Sequence, residues 1–377
     1  MSQQSKRELV DVLRDRYLRA GRPEKTKILD EFVAVTGFHR KHALRLLRGG
    51  YGPGRERRGR KRRYTGSVVS ALAQVWQISG CICGKRLAPF LPELVSALER
   101  HGELLLDEET RALLLTISAA TIDRKLRPFR RAQGRGLSTT KPGTLLKQSI
   151  PVRTFADWDD ARPGFVEMDL VAHCGDSVGG QYLNTLTATD VTTGWTECFL
   201  LRHRSQLMVT TAMDELRGRL PFPLLGADCD NDGAFINGTL LRYCEAQQIT
   251  FTRSRPYRKN DQAFVEQKNG AIVRHHVGYR RYTSPQAAER LEALYEALHA
   301  YVNFFQPVHK LIHKERHGAR VYKQYDEAKT PHQRAMLSPD LSPLCKLRLQ
   351  HHYQQLNPAQ LRRTIDEHLR QLRLLPE

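Results

Sequence analysis

The sequence predicts an α/β chain: a mixed five-stranded sheet with helices, preceded by two all-helical blocks and followed by a small, mostly helical C-terminal region. Three observations point there. From about Pro163 the apolar pattern changes from helical spacing to short strand-like runs. The 377 residues carry 60 Lys and Arg against 40 Asp and Glu, yet the excess avoids the middle: residues 1–64 hold 19 basic and 7 acidic side chains, residues 151–315 hold 18 and 20. Finally, apolar runs of that middle section contain aspartates, which are costly there unless paired, hydrogen-bonded or bound to a cation.

Composition narrows the class further. No apolar run approaches the about 18 residues that a membrane span needs, and MSQQSKRELV lacks the apolar stretch of a signal peptide. Seven cysteines form no CxxC pair, which argues against a disulfide framework and a standard zinc finger. The expectation is a soluble, reduced, cytoplasmic protein with no membrane partner and an affinity for polyanions.

The first element is a helix over 24–36, with Ile28, Phe32 and Val35 at helical spacing and Gly37 breaking the pattern. A second helix over 38–47 turns Ala43, Leu46 and Leu47 inward and Arg40, Lys41, Arg45 and Arg48 outward. Helix, short turn and basic helix form the helix-turn-helix pattern, whose second helix enters the DNA major groove. Residues 49–63, GGYGPGRERRGRKRR, bury nothing and read as a flexible cationic arm, with Arg57, Arg58, Arg60, Lys61, Arg62 and Arg63 set to contact phosphates. A second helical block follows. Val68, Leu72, Val75 and Trp76 give one apolar stripe, Leu91, Leu94 and Leu98 another. Ser118 is placed to cap a helix that exposes Arg124 and Lys125, which gives a second helix-turn-helix unit. Residues 131–158 mix Pro, Gly, Ser, Thr and basic residues, as a linker does. The expected organisation is therefore 1–50 helix-turn-helix, 51–64 arm, 65–130 second helical domain, 131–158 linker, 159–312 catalytic core and 313–377 basic C-terminal region.

In the core, three strands over 164–174, 182–190 and 195–203 are joined by short turns, as in an antiparallel meander. A helix over 205–216, a strand over 223–230, a helix over 236–247, a strand over 249–253 and a helix over 262–276 complete it. The order βββαβαβα is that of the RNase H-like fold. Asp169 sits in the first strand, Asp230 ends the fourth, and Glu266 lies in the helix after the fifth. Neighbouring first and fourth strands would bring both aspartates to one sheet edge. Converging carboxylates raise one another's pKa unless a cation is present, and hard oxygen ligands suit Mg²⁺ or Mn²⁺. Asp228, two residues from Asp230 on the same strand face, is the rival second ligand.

Asp230 and Glu266 have 35 residues between them. With that interval the sequence resembles the DDE superfamily of transposases and retroviral integrases. DNDGAFIN (230–237) is similar to the family's Asp-Asn-Gly-x-Glu-Phe segment, NDQAFVEQKN (260–269) to its Asn-(x)n-Val-Glu-x-x-Asn helix, and NFFQP (303–307) to the close of the integrase core. Asp232 and Ala234 depart from the pattern. The resemblance implies catalysis and metal binding by Asp169, Asp230 and Glu266. It implies two Mg²⁺ or Mn²⁺ ions, cleavage and strand transfer on double-stranded DNA, and a homo-oligomer that synapses element ends. It also places Gln262, one turn before Glu266, near DNA. Arg258 and Lys259 on the approach, and Lys268, Asn269 and Arg274 beyond, become phosphate contacts. A DNA-binding regulator without chemistry and a structure-selective nuclease are the alternatives. From Asn357 a helix is signalled, with Pro358 in its first turn, Gln360 completing a capping box, and Leu361, Ile365, Leu369 and Leu372 as its apolar stripe.

Overall fold

The computed structural model describes residues 1–51, 63–132, 162–229, 234–235, 238–253 and 262–376. It divides into two compact units, Met1–Arg63 and Tyr64–Glu377.

The first unit is a three-helix cluster: α1 (Gln3–Arg19), α2 (Arg22–Thr36) and α3 (Arg40–Gly49). Gly37 ends α2 in the left-handed region, φ +69°, where a residue with a side chain is strained. His39 then caps α3 by accepting from the Lys41 N–H. Ile28, Leu29 and Phe32 pack with Ala43, Leu46, Leu47, Val10 and Tyr17. Val35 is 60% exposed, so Leu29 rather than Val35 completes the α2 stripe. The same packing leaves Arg40, Lys41, Arg45 and Arg48 on the solvent face of α3.

The second unit opens with α4 (Gly66–Ile78), α5 (Gly84–Arg100), α6 (Glu108–Leu115) and α7 (Ala119–Ala132). Asp107 caps α6 by accepting from the Thr110 N–H. The sequence reading separates this block from the core, but the two share one hydrophobic interior. Tyr301 donates to the Ile78 carbonyl at 2.7 Å, and Arg86 Nε to the Pro307 carbonyl at 2.6 Å. The compositional break after residue 132 is not a boundary between compact bodies.

The sheet comprises β1 (Phe165–Ala172), β2 (Asn184–Asp190), β3 (Thr196–Leu201), β4 (Gly226–Cys229) and β5 (Thr250–Arg253), in the order β3-β2-β1-β4-β5. β1 pairs antiparallel with β2 and parallel with β4, β2–β3 is antiparallel and β4–β5 parallel. Interleaved are α8 (Gln206–Arg219) and α9 (Gly238–Ala246). Then come α10 (Ala263–Lys268), a π-helical turn (Asn269–Arg274) and α11 (His275–Val277). This is the RNase H-like topology, with helical flanks. The long α12 (Pro285–Phe305) packs on β3, and its Asn303 satisfies that edge strand: Nδ2 donates to the Thr196 carbonyl and Oδ1 accepts from the Thr196 N–H. Covering an open edge in this way removes a template for unwanted strand pairing.

Beyond α12 the region is not purely helical. β6 (Leu311–His317) and β7 (Arg320–Tyr325) form a separate two-stranded ribbon before α13 (Pro331–Leu337), α14 (Pro343–Gln355) and α15 (Pro358–Leu374). Asn357 caps α15 as expected, but Gln360 accepts from Arg363 instead of closing a capping box; that motif forms at Thr330 and Gln333. Ile365, Leu369 and Leu372 are buried in the core they share with α12. No helix among the described residues is long and apolar enough to cross a membrane.

Candidate active site

β1 lies at the centre of the sheet, and successive side chains of a strand alternate between its faces. Glu167 and Asp169, two apart, therefore share one face. Glu167 stands opposite Asp228 in the parallel β1–β4 register, and Met168 opposite Cys229. Asp230 follows Cys229 in sequence but lies outside the described residues. Asp228, the rival ligand, is buried and accepts from Thr252 Oγ1 at 2.7 Å.

The helix bearing Glu266 is bound to β1 at three levels. Gln262 Nε2 donates to the Met168 carbonyl at 3.3 Å. Glu167 Oε2 accepts from the Phe264 and Val265 N–H groups at 2.8 and 2.9 Å. Asn269 Nδ2 donates to Asp169 Oδ2 at 2.7 Å. These contacts bracket Glu266, which is exposed in the first turn of α10. Gln262 makes no side-chain cap to the helix, so Glu167 reaches across from the sheet to satisfy two of its free N–H groups. Burial pushes the Glu167 carboxyl up to about 8; the two N–H groups oppose this, and the charges of Asp228 and Glu266 add to it. Glu167 is the residue that sequence reasoning missed, and its one local signal is the two-residue interval to Asp169.

The π turn starts at Asn269. Widened turns of this kind are frequent at functional sites. Asp169 is half-buried, and its Oδ1 accepts from the Leu170 N–H at 2.8 Å. The Asn269 carbonyl Oδ1 is buried without a hydrogen-bond partner. Asp169, Glu266 and this amide offer oxygen donors only, the kind that a hard divalent cation takes. Among the described residues no three His, Cys, Asp or Glu side chains are grouped as a metal cage.

Several expected DNA contacts are placed otherwise. Lys268 is 6% exposed, and burial pulls its ammonium down to about 7, with the charges of Arg86, Lys310 and Arg334 adding to the effect. A side chain so enclosed is not presented to a phosphate. Gln262 and Asn269 are buried and engaged with β1. Arg274 donates to the Ala172 and Gly278 carbonyls and lies over the Tyr279 ring, anchoring the helix end. Lys125 donates to the Tyr64 carbonyl at 2.6 Å, so it ties α7 to the start of α4; Arg124 is exposed. Arg63 is exposed, whereas Arg57, Arg58, Arg60, Lys61, Arg62, Arg258 and Lys259 lie outside the described residues. Cys83 is exposed and Cys81 half-buried. His173 is buried, with Nε2 2.7 Å from Thr185 Oγ1, and burial pulls it down to about 3. Trp195 is a core residue whose Nε1 donates to Glu197.

Fold and site together define a chain with an RNase H-like core carrying acids on its central strand and on the helix that crosses it. It is 48% identical over 327 residues to the uncharacterized protein y4rM of Sinorhizobium fredii, an overlap of 86% of this chain and 93% of that one. The chain belongs to the same family as that protein. No family model matches it. Among solved structures it is similar to the catalytic core domain of BIV integrase, at 18% identity and TM-score 0.31 over 51% of this chain and 99% of that one. It is also similar to the HTLV-2 integrase catalytic core domain in complex with magnesium. The dimeric form gives 14% identity and TM-score 0.30 over 39% of this chain and 90% of that one; the trimeric form gives 17% and 0.25 over 30% and 68%.

Proposed function

We propose that this chain is a DDE-type polynucleotidyl transferase, a transposase that cuts and joins double-stranded DNA at the ends of a mobile element. The observation that supports this best is the three-level attachment to β1, the strand of Asp169, of the helix that carries Glu266. The 35-residue interval from Asp230 to Glu266 supports Asp230 as the third acid.

Asp169, Asp230 and Glu266 would hold the divalent cations, which when bound activate a water or a DNA 3′-hydroxyl and stabilise the leaving oxygen. The remaining tasks fall to the chain. Asn269 holds one carboxylate oxygen of Asp169, which fixes the direction of the other lone pairs. Glu167 fixes the start of α10 and hence the reach of Glu266. Arg40, Lys41, Arg45 and Arg48 on the solvent face of α3 would provide phosphate contacts. No covalent protein nucleophile is required. Joining two ends calls for two sites, so the working form is a homo-oligomer.

The test is to incubate the protein and Mg²⁺ or Mn²⁺ with labelled duplexes carrying the sequences that flank its own gene, beside unrelated and branched duplexes. Nicking and joining confined to the flanking sequences support the transposase. End-specific binding without cleavage indicates a DNA-binding regulator, and cleavage of branched DNA regardless of sequence a structure-selective nuclease.

A further inference from the structure

Every residue of β6 and β7 is exposed except the half-buried Leu311. A two-stranded ribbon without a core is marginal in water, so sequence spent on it needs another reason. Residues 311–325 carry Lys314, Arg316, Arg320 and Lys323 against Glu315 alone. Glu315 is engaged by His317 at 2.8 Å. Lys314 stands directly opposite Lys323 in the register, an arrangement of like charges that costs stability unless an anion lies across it. Beside the cations the ribbon displays Tyr322, and at its base Tyr325, 54% and 52% exposed.

The base of the ribbon is pinned. The Lys310 N–H donates to Asp326 Oδ1 at 2.6 Å, and Arg334 pairs with Asp326 Oδ2 at 2.6 Å. Lys310 Nζ donates to the Val191 carbonyl and lies 5.9 Å from the centre of the Phe264 ring. Phe264 is two residues before Glu266, so the ribbon springs from beside the helix that carries this acid.

We propose that the β6–β7 ribbon is a binding element for duplex DNA, with Lys314, Arg316, Arg320 and Lys323 on phosphates and the exposed tyrosines against the sugar-phosphate surface. A two-stranded ribbon has the dimensions to enter a major groove about 12 Å wide. Its excess of positive charge selects a polyanion, and its base beside Phe264 brings that polyanion towards the helix that carries Glu266. The proposal goes beyond the catalytic reading and shares with it only the nature of the ligand.

The experiment measures binding of the full chain to a labelled duplex of random sequence over a range of salt. Wild type is compared with the triple variant Lys314→Gln, Arg316→Gln, Lys323→Gln and with Tyr322→Ala. Each lost phosphate contact removes about 0.9 from the slope of log K against log salt, so the triple variant should lose roughly 2–3 and bind at least about tenfold more weakly at moderate salt. All the altered side chains are exposed and Gln removes the Lys314–Lys323 repulsion, so melting should not fall, which separates lost contacts from lost folding. An unchanged slope and Kd overturn the proposal. If sedimentation then shows a wild-type dimer turned monomeric by the triple variant, the ribbon is instead an interface between copies. Glu266→Gln, run alongside, keeps the two readings apart: cleavage that survives it sinks the catalytic reading and leaves the ribbon result standing.

Discussion

Replacing Glu167 by Gln separates the two things this residue does. The amide keeps an oxygen for the Phe264 and Val265 N–H groups but abolishes the charge. The folded carboxyl titrates near 8 and the unfolded one near 4.5. A raised acid pKa means that the folded chain binds the proton more tightly, so this contribution is complete below pH 4.5 and lost as pH climbs through 8. At about 1.36 kcal/mol for each step of one in pH above 4.5, wild type should give up on the order of 3 kcal/mol by neutral pH, a cost that Gln does not carry. Glu167→Gln should therefore melt higher than wild type at pH 7 and much closer to it at pH 5, with chelator present throughout. Glu167→Ala behaves oppositely, leaving two N–H groups without an acceptor at about 1–3 kcal/mol each. Ala should also lower the cleavage rate by loosening Glu266, whereas Gln should preserve it. A Gln-minus-wild-type difference that does not vary with pH, or an Ala variant as stable and active as Gln, refutes the reasoning.

Other outcomes follow from the same contacts. Asn269→Leu removes one hydrogen bond to Asp169 and should reduce metal-dependent cleavage roughly 10–100-fold with little change in DNA affinity, measured by single-turnover kinetics beside binding. Lys268→Met should leave DNA affinity unchanged and raise thermal stability. The depressed pKa of Lys268 makes the folding cost grow as pH falls from 10.5 to about 7, so the gain of about 4 kcal/mol at pH 7 should shrink towards pH 9.5. Gly84→Ala would put a Cβ 2.3 Å from the Ala119 carbonyl, where α5 meets α7, and should cost about 1–3 kcal/mol in denaturant unfolding.

The sheet was legible because its strands carry apolar runs broken by short turns, and Asp169 stood out because an acid in such a run needs a reason. The clamp was hidden. Glu167 acquires its role only when the fold lays the start of α10 across β1, which no local spacing announces. Lys268 reads as a surface cation on a helix, but the packing of α10 and the π turn on the sheet encloses it. The β6–β7 ribbon escaped for the opposite reason: with both faces in solvent, it has no alternation of apolar and polar residues to detect. The helices at 66–132 are legible, yet their partners are not, since Tyr301, Gln306 and Pro307, which hold Ile78, Ser79 and Arg86 to the core, lie more than 200 residues beyond them in the chain.

The most direct measurement compares Mg²⁺- or Mn²⁺-dependent nicking of labelled duplex DNA by wild type, Asp169→Asn and Glu266→Gln, with binding to the same duplex recorded for all three. The account predicts that both variants bind as wild type does and that neither cleaves. Cleavage by either variant at the wild-type rate would contradict it.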